Sequence, residues 1–139
     1  MGKSITIEQE YPYSPNEVWD ALTDQTLLSD WLMHGTFEPR VGAEFDFYWS
    51  GTDASNGSTH GKVMEMDKPN KLSYTWGWGA GGTLVTFFLE PTAKGTKLRL
   101  EHTGFTDQDE QVYQGALYGW KGKLPNLGIT IAKQQKTMA

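Results

Sequence analysis

Tyr113, Leu117, Trp120, Leu124, Leu127 and Ile131 recur at alternating steps of four and three, the spacing of one apolar stripe along a helix. Before them the period is mostly two. Ile5, Ile7, Gln9 and Tyr11 alternate with Thr6, Glu8 and Glu10, which predicts a half-buried strand over Ser4 to Tyr11. Ser14-Pro15-Asn16-Glu17 then carries three helix-start signals: a capping serine, a proline suited to the first helical position, and a glutamate that completes a capping box. The helix that follows buries Val18, Trp19 and Leu22. Asp24 caps a second short helix, Gln25 to Leu32, which packs Leu27, Leu28, Trp31 and Leu32.

From Gly42 the alternation returns. Phe45, Phe47 and Trp49 share one face, with Glu44, Asp46 and Tyr48 on the other. Further strands follow: His60 to Met66, then the alternating sets Leu72-Tyr74-Trp76-Trp78, Val85-Phe87-Leu89 and Leu98-Leu100-His102. Turn-rich stretches at Gly51 to Ser58, Asp67 to Asn70, Gly79 to Gly82 and Pro91 to Gly95 separate them. The order is strand–helix–helix–five strands–helix (β-α-α-β5-α), which predicts an α+β fold. Six antiparallel strands joined by short turns curve around one long C-terminal helix and cover its stripe.

That helix has two oddities. Pro125 lies inside the periodic run and removes one backbone hydrogen bond, so a kink or break is expected there. Gly115, Gly119 and Gly122 fall on one face, read as opposite the stripe, and each costs about 1 kcal/mol relative to alanine in a helix interior. Either the helix begins only near Tyr118, or another surface approaches closely at the glycines, as in a homodimer. Upstream, the acidic run Asp107 to Glu110 suits a helix N-terminus.

Composition narrows the function classes. A length of 139 residues predicts one domain, spanning 1–139, with a core large enough to need no staples, and there is no cysteine to form one. Absence of cysteine fits a reducing compartment, and the expected location is cytoplasmic. A formal net charge of −5 without a basic run argues against nucleic acid or an anionic membrane as the main partner. No apolar run reaches the length of a membrane span, so no membrane insertion is expected. Aromatic residues make up 13% of the chain, six each of Trp, Tyr and Phe, more than a small core needs. Some of these rings are therefore expected to line a hollow.

Candidate chemistry is sparse. There is no G-x-S-x-G, no cysteine nucleophile and no phosphate loop, since the glycine-rich Trp76-to-Gly82 stretch lacks the required Lys-Ser/Thr. The three histidines, His34, His60 and His102, have no helical metal-site spacing, so no metal and no cofactor are expected. Glu101 and Asp46 lie on outward faces and give no carboxylate dyad. His102 continues the inward face of Leu98 and Leu100. It is expected to present an imidazole to the hollow, satisfied by Tyr74 or by a ligand. Trp76 and Trp78 point to one side of their strand and could stack a flat molecule.

Several stretches carry a family likeness. Tyr13 to Asp24, with its Val18-Trp19-Asp20-Ala21-Leu22-Thr23-Asp24, followed by Leu28-Ser29-Asp30-Trp31, resembles the "vW.aLTd…l..Wl" signature of the activator-of-heat-shock-protein-ninety-ATPase-like family. Arg40 to Phe45, Gly61-Lys62-Val63, Leu72 to Trp76, Gly95 to Leu98, and Gly119-Trp120 with Leu124 and Leu127 extend the likeness in order over nearly the whole chain. The family belongs to the START-like (SRPBCC, birch-pollen-allergen-like) superfamily. The resemblance implies a helix-grip fold with a deep hydrophobic pocket between sheet and helix. It does not choose among lipid carriers, cyclases and co-chaperone domains.

The leading expectation is binding of a small hydrophobic, lipid-like or aromatic molecule between the sheet and the last helix. The residues expected to line the cavity are Trp31, Phe45, Phe47, Trp49, Tyr74, Trp76, Trp78, Phe87, Tyr113, Leu117 and Trp120, with His60, His102 and Tyr74 as polar anchors. A cyclase/dehydratase-like enzyme using His102 as acid and base is the alternative, and a module acting on a chaperone ATPase is the third. All three turn on whether the concave face encloses open space.

Overall fold

The computed structural model describes residues 3–77, 82–106 and 109–138, without the side chains of 136–138. In chain order the elements are β1 (Lys3–Tyr11), α1 (Pro15–Thr23), α2 (Gln25–Trp31), β2 (Glu44–Tyr48), β3 (Ser58–Asp67), β4 (Lys71–Trp76), β5 (Thr83–Thr92), β6 (Gly95–Phe105) and α3 (Glu110–Met138). A single turn of 3₁₀ helix, Ala54–Asn56, lies between β2 and β3. The strands form one antiparallel sheet in the order β1-β6-β5-β4-β3-β2. β1 and β2 are its two edges, so α1 and α2 carry the chain from one edge to the other. The sheet curves around α3, the helix-grip architecture expected from the sequence. None of its described helices is long and apolar enough to cross a membrane.

Local signals explain the element boundaries. Ser14 Oγ accepts from the Glu17 N–H and the Glu17 carboxylate accepts from the Ser14 N–H, a complete capping box with Pro15 at the first helical position. Asp24 ends α1 and caps α2, its carboxylate accepting from the Thr26 N–H. Register shifts in β1 near Lys3 and in β3 near Val63 supply local twist to the sheet. β5 runs through Pro91 to Thr92, so the β5–β6 turn is tighter than the sequence pattern suggested.

α3 corrects two expectations. It runs without interruption through Pro125, and it begins at Glu110 rather than near Tyr118. An interior proline costs about 3 kcal/mol. Leu124, Leu127 and Ile131, which flank it, are all buried, and each contributes roughly 1.5–3 kcal/mol. Burial of the stripe therefore outweighs the lost hydrogen bond. At this level the helix lies hard against β1. The Tyr11 hydroxyl donates to the Leu124 carbonyl at 2.6 Å, and a Cβ on Gly128 would stand 3.2 Å from the Tyr11 ring.

The middle of the concave face is filled with rings. Phe37, Phe45, Phe47 and Tyr74 contact one another edge-on or stacked with centroids 4.9–6.2 Å apart. Phe87 joins at 6.0 Å from Tyr74. Phe45 sits over Gly61, where any side chain would collide with its ring. Phe37 comes from the irregular segment between α2 and β2. The Gln25 side chain holds it in place by accepting from its N–H at 2.8 Å.

Tyr11→Phe removes the hydroxyl that ties β1 to the middle of α3 while keeping the ring. A loss of about 1 kcal/mol is expected in urea-unfolding free energy; an unchanged midpoint would show that the bond contributes nothing.

Candidate functional site

The concave face is not filled throughout. Beyond the ring cluster, toward the first half of α3, lies a cavity of about 260 Å³. Its floor is Trp76 at the end of β4, with His102 and Phe105 at the end of β6. Leu32 and Met33, just past α2, close one side, and Trp49, just past β2, closes another with Thr59, at the start of β3. α3 forms the roof with Val112, Gly115, Ala116, Gly119, Trp120 and Lys123. The walls are almost wholly apolar. Trp49 and Val112 are 64% and 62% exposed, which marks the rim where the cavity meets solvent.

The roof explains the glycines. A Cβ added at Gly115 or Gly119 would meet nothing within 4 Å, and the same holds at Gly122. Gly115 and Gly119 face the cavity together with Ala116 and Trp120, so they do not lie opposite the stripe as the sequence suggested. No surface of the described chain approaches them, and within the chain they leave room. Gly128, one turn past Pro125, is the contrasting case, pressed against Tyr11.

His102 is fully buried and both its ring nitrogens are engaged. Trp120 Nε1–H, a donor only, gives its hydrogen to Nδ1 at 3.0 Å. The ring proton therefore resides on Nε2, which donates to Thr83 Oγ1 at 2.6 Å. The Thr83 hydroxyl in turn donates to the Trp76 carbonyl at 3.0 Å. This chain ties α3, β6, β5 and β4 together and fixes a neutral imidazole. Burial lowers the His102 pKa from 6.5 to about 4. The partners are thus Thr83 and Trp120, not Tyr74.

Two other polar groups border the cavity. Thr59 Oγ1 accepts from Trp49 Nε1–H at 2.9 Å, which pins the exposed indole across the rim. Lys123 is part-buried and its Nζ donates to the Leu32 carbonyl at 3.0 Å, spanning from α3 to the end of α2. Among the described residues, no cluster of three or more His, Asp or Glu side chains could hold a metal ion.

Of the positions expected to line the cavity, Trp49, Trp76, His102 and Trp120 do so. Trp49 does so from beyond the end of β2 and largely exposed, not as an inward strand residue. Phe45, Phe47, Tyr74 and Phe87 are instead packed in the solid ring cluster. Trp31 is buried between the helices, its Nε1 donating to the Ala21 carbonyl at 2.7 Å. Tyr113 packs edge-on against Phe105 at 5.5 Å, and Leu117 rests half-buried on the core. His60 is on the opposite face of the sheet, between Glu44 and Asp46, at 2.9 and 3.2 Å. Burial opposes its charge, but those carboxylates outweigh it and the pKa is raised. Trp78 lies outside the described residues. The sequence reading missed Leu32, Met33, Thr59, Phe105, Val112, Gly115, Ala116, Gly119 and Lys123 as wall residues. Only the i, i+3, i+4 and i+7 spacing of Val112, Gly115, Ala116 and Gly119 could have signalled a common face.

The family described as "Activator of Hsp90 ATPase homolog 1-like protein" matches residues 12–130. Among solved structures, the protein MLL2253 from Mesorhizobium loti is 30% identical, with a TM-score of 0.85 over 94% of this chain and 98% of that one. CalU16 from Micromonospora echinospora is 26% identical, with a TM-score of 0.77 over 98% of this chain and 80% of that one. DynU16, from the dynemicin biosynthetic locus, shares the fold at 21% identity and a TM-score of 0.77, over 93% of this chain and 47% of that one. No curated protein sequence matches.

Two outcomes follow from this geometry. Gly115→Ala and Gly119→Ala each add a methyl to open space, so each is expected to raise thermal stability, by up to about 1 kcal/mol; a loss would mean that the roof is closed. The His102 ring stays neutral in the folded protein down to about pH 4, whereas in the unfolded chain it protonates near 6.5. Its contribution is complete above pH 6.5 and lost as pH falls from 6.5 toward 4, a difference of about 3 kcal/mol. His102→Gln keeps one acceptor and one donor without titrating. Urea-unfolding free energy should therefore fall less between pH 7 and 4.5 in this variant than in the parent. Parallel pH curves would contradict the neutral buried ring.

Proposed function

We propose, on the premise that this chain belongs to the Activator of Hsp90 ATPase homolog 1-like protein family, that it binds a small hydrophobic molecule under the glycine-bearing half of α3. The observation that carries this reading is the rimmed apolar cavity of about 260 Å³ beside a core that is otherwise solidly packed. Protein interiors leave few voids larger than a water molecule. An apolar cavity of roughly 150 Å³ suffices for benzene. The ligand is accordingly one ring with a short chain, or two fused rings, rather than an extended polycyclic or long acyl chain.

The physical chemistry sets the affinity. A ligand of this size buries about 150–250 Å², as a large aromatic side chain does. At about 25 cal/mol per Å² that contributes roughly 4–6 kcal/mol before the entropic cost of association. Apolar contact alone therefore supports only weak binding, at best tens of micromolar and more often roughly millimolar. Trp76 and Trp120, with centroids 5.4 Å apart and tilted by 54°, offer a floor and a roof to a flat ring.

The geometry favours binding over acid–base chemistry at His102. A general base needs a free lone pair within reach of the substrate. Here the one ring lone pair receives the Trp120 hydrogen and the one ring hydrogen goes to Thr83.

The test is titration with 2-naphthol, followed by tryptophan fluorescence and calorimetry, on the parent and on Gly119→Leu, whose side chain projects into the cavity. Saturable binding to the parent, weakened at least tenfold in Gly119→Leu with no loss of thermal stability, is the expected result. Absence of binding by the parent to 2-naphthol and to other one- and two-ring compounds would overturn the proposal.

A further inference from the structure

We infer that the ligand carries a single negative charge, a carboxylate on a small aryl or alkyl body, and that Lys123 holds it at the mouth of the cavity. The inference rests on the binding reading above and specifies the ligand's polar end.

Among the described residues, Lys123 is the one charged side chain in the cavity wall. It lies one turn beyond Gly119 on α3, so its methylene stem runs along the open side of the roof and its ammonium reaches the far wall. There Nζ donates to the Leu32 carbonyl at 3.0 Å. An ammonium has three hydrogens to donate, and this bond uses one. No carboxylate lies within ion-pair distance of Lys123 among the described residues. Acidic side chains on the same helices are engaged elsewhere: Asp30 with Thr130 and Lys133, and Glu110 with Lys3 and Gln114. A part-buried cation with two hydrogens left to donate, set at the mouth of an apolar cavity, offers a charge-assisted partner to an anionic ligand head.

Charge number follows from the same surroundings. The single ammonium shares its position with a backbone carbonyl oxygen, which is repelled more by a dianion than by a monoanion. Of the remaining polar groups bordering the cavity, His102 is locked between Trp120 and Thr83, and Thr59, whose oxygen accepts from Trp49, has a neutral hydroxyl hydrogen to offer but no second positive charge. The chain's formal net charge of −5 opposes an anion at long range. The preference must therefore come from a short contact with Lys123 rather than from steering.

The test compares 2-naphthoate with its neutral isostere 2-naphthamide, titrated at pH 7.5 into the parent, Lys123→Met and Lys123→Arg. The parent is expected to bind naphthoate at least tenfold more tightly than naphthamide. That ratio should collapse to about one in Lys123→Met through loss of naphthoate affinity, with naphthamide binding unchanged, and it should be largely kept in Lys123→Arg. Equal binding of the two compounds by the parent, or a preference that survives in Lys123→Met, would overturn the inference and leave the hydrophobic cavity reading intact. Failure of both compounds to bind the parent would overturn the two together.

Discussion

Trp120 stands where close packing of α3 gives way to open space, and the rest of the structure is arranged about it. Its indole is buried against Trp76 and Phe87, and its N–H is donated to a histidine on β6. A buried N–H without a partner is expensive, so the distance between helix and sheet is set at this residue by a hydrogen bond as well as by contact. On the C-terminal side Leu124, Leu127 and Ile131 press into the sheet, and Tyr11 reaches the helix backbone. On the N-terminal side the helix carries Gly115, Ala116 and Gly119, too small to fill the gap beneath. The cavity lies beneath one continuous helix that carries two different sets of side chains.

The polar chain from Trp120 through His102 and Thr83 to the Trp76 carbonyl is also why the cavity floor is defined. Each donor in it meets one acceptor, which leaves a single arrangement of protons and a single ring orientation. The same closure that makes His102 a good structural element removes it as a proton carrier near neutral pH. Under the proposed binding reading, recognition then rests on shape and on the few groups left at the mouth.

Much of this was legible in the residue pattern, because the governing signals are local. The capping box at Ser14, the alternation in six strands and the stripe from Tyr113 to Ile131 each report on nearest neighbours, and each was realised. His102, Trp76 and Trp120 were legible as inward positions for the same reason. What was not legible depended on distance through space. Phe37 enters the core from a segment with no period at all, held by Gln25 from a different element. His60 reads like His102 by residue type but lies on the other side of the sheet, with Glu44 and Asp46. Lys123 carries the ordinary look of a solvated helix face, and only the position of Leu32 across the cavity shows where its ammonium goes. The glycines were read as a cost to the helix, although the space they leave can be seen only once the sheet is in place.

Division of α3 into an anchoring half and a roofing half has a bearing on how such a protein can diversify. Positions 115 and 119 can be exchanged for larger residues without disturbing the segment that grips the sheet, because no neighbouring atom presses on Gly115 or Gly119. Under the proposed binding reading, selectivity for a guest can be altered through a handful of codons in one short stretch, while the residues on the far side of Trp120 that grip the sheet are left as they are.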